Sequence, residues 1–278
     1  MASKLDAGAQ AGVQPAMEAA LLLLIDAGNT RVKWALVEHG AALGQWRASG
    51  AVLHAELNRL PASWQGAPIA RAIVANVAGS SMRDQLQLMI PATDIDWFAS
   101  QAQLGGLRNA YRNPRQLGCD RFAAAIGARA LEPGKALIVA TCGTATTIDA
   151  ISADGVFLGG MILPGLGLMA ASLARNTAQL PQLQTLQQLQ QSRPGALPPP
   201  LSIALPAGFA DNTDDAILAG CLAAQAGAIE RACALHGAAL CLVSGGAAPY
   251  IAPVLGPHIA YRIVDNIVLT GLQASIAA

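Results

Sequence analysis

Three short stretches carry the side chains best suited to chemistry. The first is Asp26-Ala27-Gly28-Asn29-Thr30-Arg31-Val32-Lys33, which interrupts an apolar run, Leu21–Ile25. A carboxylate at a strand end can hold hydrated magnesium, an ion that keeps several waters and takes few protein ligands. Gly28 lets backbone amides approach a phosphate, and Asn29, Thr30 and Lys33 can donate to its oxygens. An ordinary tight hairpin is the plainer account, since Asn and Gly favour turns on their own. The second stretch, Leu107–Arg121 (LRNAYRNPRQLGCDR), holds four arginines with Tyr111, Pro114, Gly118 and Asp120. Asp120 and Arg121 fall near the start of an Ala-rich helix, Phe122–Leu131, where the positive end of the dipole favours an anion. That suits a carboxylate base beside arginines that catch an acidic substrate; helix capping with a solvated arginine cluster is the alternative. The third is Thr141-Cys142-Gly143-Thr144-Ala145-Thr146, a Gly-and-hydroxyl break between two apolar strands, the later one carrying Asp149. It copies the first stretch in outline, so the two read as phosphate loops, one per domain.

The elements that would position these residues alternate along the chain. Leu21–Ile25 and the segment around Val32, Trp34 and Leu36–Val37 read as a hairpin, and Ala41–Ala51 as a further strand or turn. Ala51–Leu60 reads as a short helix ended by Pro61. Ala70–Asn76 and Asp94–Ala99 are strand-like, with Ser80–Met89 a helix between them capped by Ser80 or Ser81. Beyond Glu132-Pro133-Gly134-Lys135, the clearest boundary, come strands at Ala136–Ala140, Ala145–Ala150 and Val156–Ile162, then a helix at Leu168–Thr177. Asn212–His236 is strongly helical, Leu240–Gly246 a buried strand running into Gly-Gly, and Ile263–Val268 and Leu269–Ala277 a closing strand and helix. Alternation of this kind favours an α/β architecture. Leu180–Pro200 is Gln-rich, then Pro-rich, and reads as a low-complexity connection used for packing or subunit contact. Residues 1–20 read as a mobile N-terminal extension.

Composition narrows the function classes. The 278 residues are just over half hydrophobic, with 17 basic and 17 acidic side chains, enough for two domains. No basic stripe or aromatic platform suggests nucleic acid as a partner. No apolar run reaches membrane-spanning length, and Ala19–Ile25 lacks a basic lead-in and a cleavage signature, so neither membrane nor secretion is expected. Five cysteines without a C-x-x-C pair read as reduced thiols in a cytoplasmic protein, and the four histidines make no zinc-like spacing.

Taken as an ordered set, Asp26–Lys33 (DAGNTRVK), Pro114–Arg121 (PRQLGCDR), Gly143–Asp149 (GTATTID), Gly159–Gly165 (GGMILPG) and Ser244-Gly245-Gly246 resemble the type III pantothenate kinases, from Leu22 to Ala278. The resemblance implies an α/β fold of two related actin-like (ribonuclease H-like) domains, residues 21–134 and 135–278, with a nucleotide cleft between them. It implies ATP-dependent phosphorylation of pantothenate to 4′-phosphopantothenate, the first step of coenzyme A synthesis. Another small-molecule kinase of the same fold and a non-enzymatic transcriptional accessory factor are the alternatives. By the same resemblance Asp26, Ala27, Gly28, Asn29, Thr30, Arg31, Val32 and Lys33 with Thr144 bind ATP, and Asp26 sits near magnesium, through water. Asp120 is the general base for the primary hydroxyl. Tyr111, Gly118, Cys119, Asp120 and Arg121 line the pantothenate pocket, Thr177 contributes from the second domain, and a homodimer completes the site. Arg121 suits the substrate carboxylate. One departure stands at Thr141, where relatives usually carry an Asp that helps hold a monovalent cation. A neutral threonine oxygen is the weaker ligand, which leaves dependence on potassium or ammonium open.

Overall fold

The computed structural model describes residues 20–177, 179–181, 183 and 209–276. Residues 1–19, and all but three positions of the Leu180–Pro200 segment, lie outside the described residues. Two sheets with the same internal plan organise the rest. The first contains β1 (Leu21–Ala27), β2 (Arg31–Val37), β3 (Ala48–Leu53), β4 (Ile69–Asn76) and β5 (Asp94–Phe98), in the order β3-β2-β1-β4-β5. β1, β2 and β3 run antiparallel as a meander, while β4 and β5 lie parallel to β1. In the second sheet β8 (Leu137–Cys142), β9 (Ala145–Ile151) and β10 (Val156–Pro164) form the meander, and β11 (Leu240–Ser244) and β12 (Tyr261–Ile263) the parallel wing. Its order, β12-β11-β8-β9-β10, repeats the first sheet strand for strand. Two short strands, β6 (Gln103–Leu104) and β7 (Leu107–Asn109), extend it beyond β10.

Alternation along the strands builds the layers. Leu21, Leu23, Ile25 and Ala27 of β1 join Val32, Trp34 and Leu36 of β2 in an outer core. That core is closed by Leu60 of α1 (Leu60–Ser63), Trp64, and Met82 and Leu86 of α2 (Ser80–Met89). The opposite face of β1, β2 and β4, through Leu24, Ala35, Val37, Ile73 and Ala75, meets α3 (Cys119–Leu131) and α7 (Ile267–Ala274). Those two helices pack in turn on Leu137, Val139, Ile151 and Leu242 of the second sheet, so they are sandwiched between the sheets. The far face of the second sheet is covered by α4 (Leu166–Asn176), α5 (Thr213–His236) and α6 (Ala248–Ile251). Because side chains alternate with period two, Asp26 and Lys33 on the first sheet and Thr141, Thr147 and Asp149 on the second point into the α3 layer.

Two helices share that layer because their backbones nearly touch. A Cβ at Gly271 would sit 1.7 Å from the Ala123 carbonyl oxygen, and one at Gly127 would sit 2.7 Å from the Ile267 carbonyl oxygen. Several sequence expectations are corrected. Residues 51–60 are the end of β3, a 3-10 turn, His54–Arg59, and the first residue of α1, and Pro61 lies in the first turn of α1 rather than ending a helix. Proline's fixed φ suits a first turn, where no N–H is needed. Gly79, not a serine, is the N-cap of α2. The polar stretch Leu107–Arg121 contains β7 and a 3-10 turn, Pro114–Gln116, and α3 already begins at Cys119. The last strand closes at Ile263, before α7 begins at Ile267. α5 is long and apolar enough to cross a membrane by length and composition, contrary to expectation. It lies instead with Ile217, Leu218, Cys221, Leu222, Ala226 and Ile229 buried in the outer core of the second sheet.

Candidate active site

The first loop is the turn between β1 and β2. The Gly28 N–H donates to the Arg31 carbonyl at 3.1 Å. From the segment after β3, the His54 ring lies 2.9 Å from the Gly28 carbonyl and the His54 N–H donates to the Thr30 carbonyl. His54 therefore pins the loop from outside, a role that no local motif announces. The second loop is built the same way, with the Gly143 N–H donating to the Ala145 carbonyl at 3.0 Å. Gly165 closes over it: its N–H donates to the Thr144 carbonyl at 2.9 Å, and a Cβ at Gly165 would lie 2.1 Å from the Gly143 carbonyl oxygen. Gly245, at φ +95°, presses on the same loop's base, with a virtual Cβ 2.4 Å from the Cys142 carbonyl oxygen. The tips of the two loops meet. Thr30 Oγ1 and Thr144 Oγ1 are 2.7 Å apart, hydrogen-bonded across 114 residues of chain and exposed to solvent.

The first hairpin, the start of α3 and β9 supply three carboxylates and two cations that interact with one another. Asp26 pairs across the hairpin with Lys33. Burial pushes the Asp26 carboxyl up to about 6, Lys33 pulls it down, and the neighbouring Asp120 charge raises it again. Asp120 stands in the first turn of α3, where its Oδ1 accepts the Arg121 backbone N–H at 2.8 Å. Burial raises its carboxyl as well, against that hydrogen bond and the Arg121 charge. With Oδ1 engaged, Oδ2 is the oxygen left for another group. Gly118 makes room for this rotamer, since a Cβ there would meet Asp120 Oδ1 at 2.7 Å. The Cys119 thiol donates to the Asn76 carbonyl at the end of β4, and burial pushes it up to about 11, so it is no nucleophile at neutral pH. Arg121 reaches the other way. Its Nε donates to both Asp149 oxygens at 3.1 and 3.2 Å, Nη2 also donates to Asp149, and Nη1 donates to Tyr111 Oη at 3.0 Å.

The structure thus brings Asp26, Lys33, Cys119, Asp120, Arg121 and Tyr111 into one region, and Thr30 and Thr144 to each other. It does not bring all the expected residues there. The Ala27 and Val32 side chains belong to the outer core, so only their backbone can face a nucleotide. Arg108, Arg112 and Arg115 are exposed, and the only buried member of the four arginines already has a carboxylate partner. Thr177 follows the last residue of α4, about 16 Å by helix rise from the end that abuts Thr144. Its hydroxyl donates to Leu173 of its own helix. Thr141 is half-buried on β8, facing Thr147 and Ser244 of the adjoining strands. Asp149 has no role in the sequence reading. Its signal was present in the alternation of β9, which sets it on the same face as Ile151 and toward α3.

Duplicated β-meanders with parallel wings, with a glycine-bearing loop from each half meeting at its tip, define the acetate and sugar kinase/actin fold. The fold is shared at a TM-score of 0.58 with a Campylobacter jejuni chain assigned to the Baf family of transcriptional activators, 20% identical, covering 92% of this chain and 97% of that one. It is shared at 0.55 with the ethanolamine utilization protein EutJ of Carboxydothermus hydrogenoformans, 11% identical, over 93% and 90%. At those identities the likeness concerns the fold alone. The sequence profile of the type III pantothenate kinases matches residues 22–235. A type III pantothenate kinase of Janthinobacterium sp. (strain Marseille) is 53% identical over 91% of this chain and 96% of its own length. The chain belongs to the type III pantothenate kinase family.

Proposed function

We infer that this chain transfers the γ-phosphoryl group of ATP to the primary hydroxyl of pantothenate, giving 4′-phosphopantothenate at the entry to coenzyme A synthesis. The observation that carries the reading is the Thr30–Thr144 contact, which joins the two phosphate loops, the first of which starts at Asp26, an acid that feels the Asp120 charge. Phosphoryl transfer asks for positioning and for neutralisation of spreading charge more than for covalent chemistry. The residues present suit both. The exposed Asn29, Thr30 and Thr144 side chains and Lys33 can donate to a triphosphate, and Asp26 stands across the hairpin from Lys33. Asp26, with Asp120 near it, fits a magnesium ion that takes one or two carboxylates and completes its shell with water and phosphate oxygens. When bound, that ion neutralises the phosphate charge.

Asp120 is the general base of this reading. Its Oδ1 is held by the Arg121 N–H, which leaves Oδ2 for an alcohol, and burial keeps its proton affinity above that of an exposed carboxylate, the useful direction for accepting an alcohol proton. Tyr111, Gly118, Cys119 and Arg121 form the pocket around it. The halves 21–134 and 135–278 close on the nucleotide from either side, with β6 and β7 carrying the first half onto the second sheet. A homodimer, in which Thr177 of one protomer reaches the pocket of the other, would explain why that residue lies a helix length from the remaining cluster. Thr141 offers a neutral oxygen, so the reading includes no strong potassium site. The five free cysteines, four of them buried, suit a reducing, cytoplasmic compartment. The test is ADP release coupled to an indicator reaction. Pantothenate-dependent turnover is expected from the wild type, and its absence, or nucleic-acid binding in its place, refutes the reading.

A further inference from the structure

One member of a buried charge pair, Asp149, has no task in the mechanism above. Asp149 is 1% exposed and Arg121 8%, and the chain shapes its core around them. Gly160 of β10 lies directly across from Asp149, and a Cβ there would stand 2.2 Å from Asp149 Oδ1 and 2.8 Å from Arg121 Nη2. Phe157 and Tyr111 flank the guanidinium, with ring centroids 5.8 and 5.7 Å from its carbon. Stability does not account for the pair, because a buried ion pair is often no better than apolar side chains of the same volume. Its hydrogen-bond directions are more informative. A guanidinium only donates. Tyr111 Oη therefore accepts from Arg121 Nη1, and the tyrosine's own proton must point to some other acceptor. Asp120, the neighbour of Arg121 in sequence, stands at the same helix start.

We propose that Asp149 is a positioning residue. It clamps the Arg121 guanidinium and, through it, aims the Tyr111 hydroxyl proton at the anionic group of the acceptor substrate. Arg121 then acts as a neutralised strut and not as the free cation that binds that anion. The proposal rests on the reading of the chain as a pantothenate kinase. The two roles of Arg121 predict opposite results. If Arg121 is a free cation merely tempered by Asp149, removing the carboxylate strengthens binding of an acidic substrate. If it is a strut, removing the carboxylate lets the guanidinium swing and weakens binding.

The experiment measures ADP release by wild type, Asp149→Asn, Tyr111→Phe and the double variant. Pantothenate is compared with its neutral analogue, in which the carboxylate is replaced by an alcohol. Turnover of pantothenate by the wild type is the control: its failure counts against the functional reading and leaves nothing to position. With that control met, Asp149→Asn is expected to raise the KM for pantothenate about 10- to 100-fold, the loss of one hydrogen bond to a charged group. The KM for ATP and the neutral analogue's kcat/KM should stay within about threefold. The double variant should be no worse than Tyr111→Phe alone, since both interrupt one relay. An unchanged or lower KM for pantothenate in Asp149→Asn, an equal loss on both substrates, or losses that multiply in the double variant overturns the proposal. Should Asp149→Asn not fold, Tyr111→Phe carries the test alone: a rise in the KM for pantothenate but not for its neutral analogue is expected, and an unchanged KM overturns the proposal.

Discussion

Replacing Asp26 by Asn should cripple the enzyme and strengthen the fold, and the second effect can be sized from the structure. Burial first, and the Asp120 charge with it, hold the Asp26 carboxyl at about 6, against an ordinary value of 3.8. A tenfold change in proton affinity corresponds to about 1.4 kcal/mol, so the ionised side chain costs the folded state about 3 kcal/mol once the pH is well above 6. The unfolded chain loses this proton near 3.8 and the folded chain near 6. The penalty is therefore small below pH 4, about 0.5 kcal/mol at pH 4, grows between the two values and is constant above them. Because part of the side chain faces the cleft, about 1–3 kcal/mol is the expected gain for Asp26→Asn at pH 8, a rise in Tm of about 2–10 °C. Thermal or urea unfolding at pH 4 and pH 8 reads it, and ADP release should fall about 100-fold or more in parallel. Equal stabilisation at both pH values, or none at pH 8, would refute the electrostatic argument, the first by pointing to packing and the second by showing that the acid is comfortably solvated.

Other substitutions separate the remaining roles. Asp120→Asn should lower kcat by about 10²- to 10⁴-fold with the pantothenate KM within a few fold. It should also abolish an acid limb of kcat that the wild type shows above the ordinary carboxylate range, because burial raises this group. Thr144→Val removes the exposed contact with Thr30; unfolding should change by less than about 1 kcal/mol while the KM for ATP rises about three- to tenfold. Gly271→Ala sets a methyl 1.7 Å from the Ala123 carbonyl oxygen and must push α3 from α7, with an expected loss of about 3 kcal/mol or more in urea unfolding. A loss below about 1 kcal/mol there would show that the two helices yield easily.

Much of the fold is legible in the sequence, and what is not has a physical cause. The hairpins at Asp26–Lys33 and Thr141–Thr146 were legible because local rules decide them, an apolar run broken by Gly and small polar residues. Their likeness to each other disclosed the duplication that the sheet orders display. Pro61 was misread because a proline ends one helix and begins another with the same φ. The arginines were read as a group, yet only Arg121 turns inward, and its partner Asp149 lies 28 residues away on another strand. No rule of spacing links those two. The contact of Thr30 with Thr144 is likewise tertiary, and the pinning of Gly28 by His54 joins an isolated histidine to a turn 26 residues earlier. A search for one unbroken apolar run passes over α5, which reaches membrane-spanning class by helix length and average composition.

The bare approach of Gly127 and Gly271 has a consequence for how the protein comes into being. α3, which holds Asp120 at its tip, is braced along its length by a helix encoded far downstream. During synthesis the first sheet, both phosphate loops and the base can all have left the ribosome while that brace is still being translated. A growing chain therefore has every reactive group yet no means of holding them in register, and competence arrives only when the final helix docks.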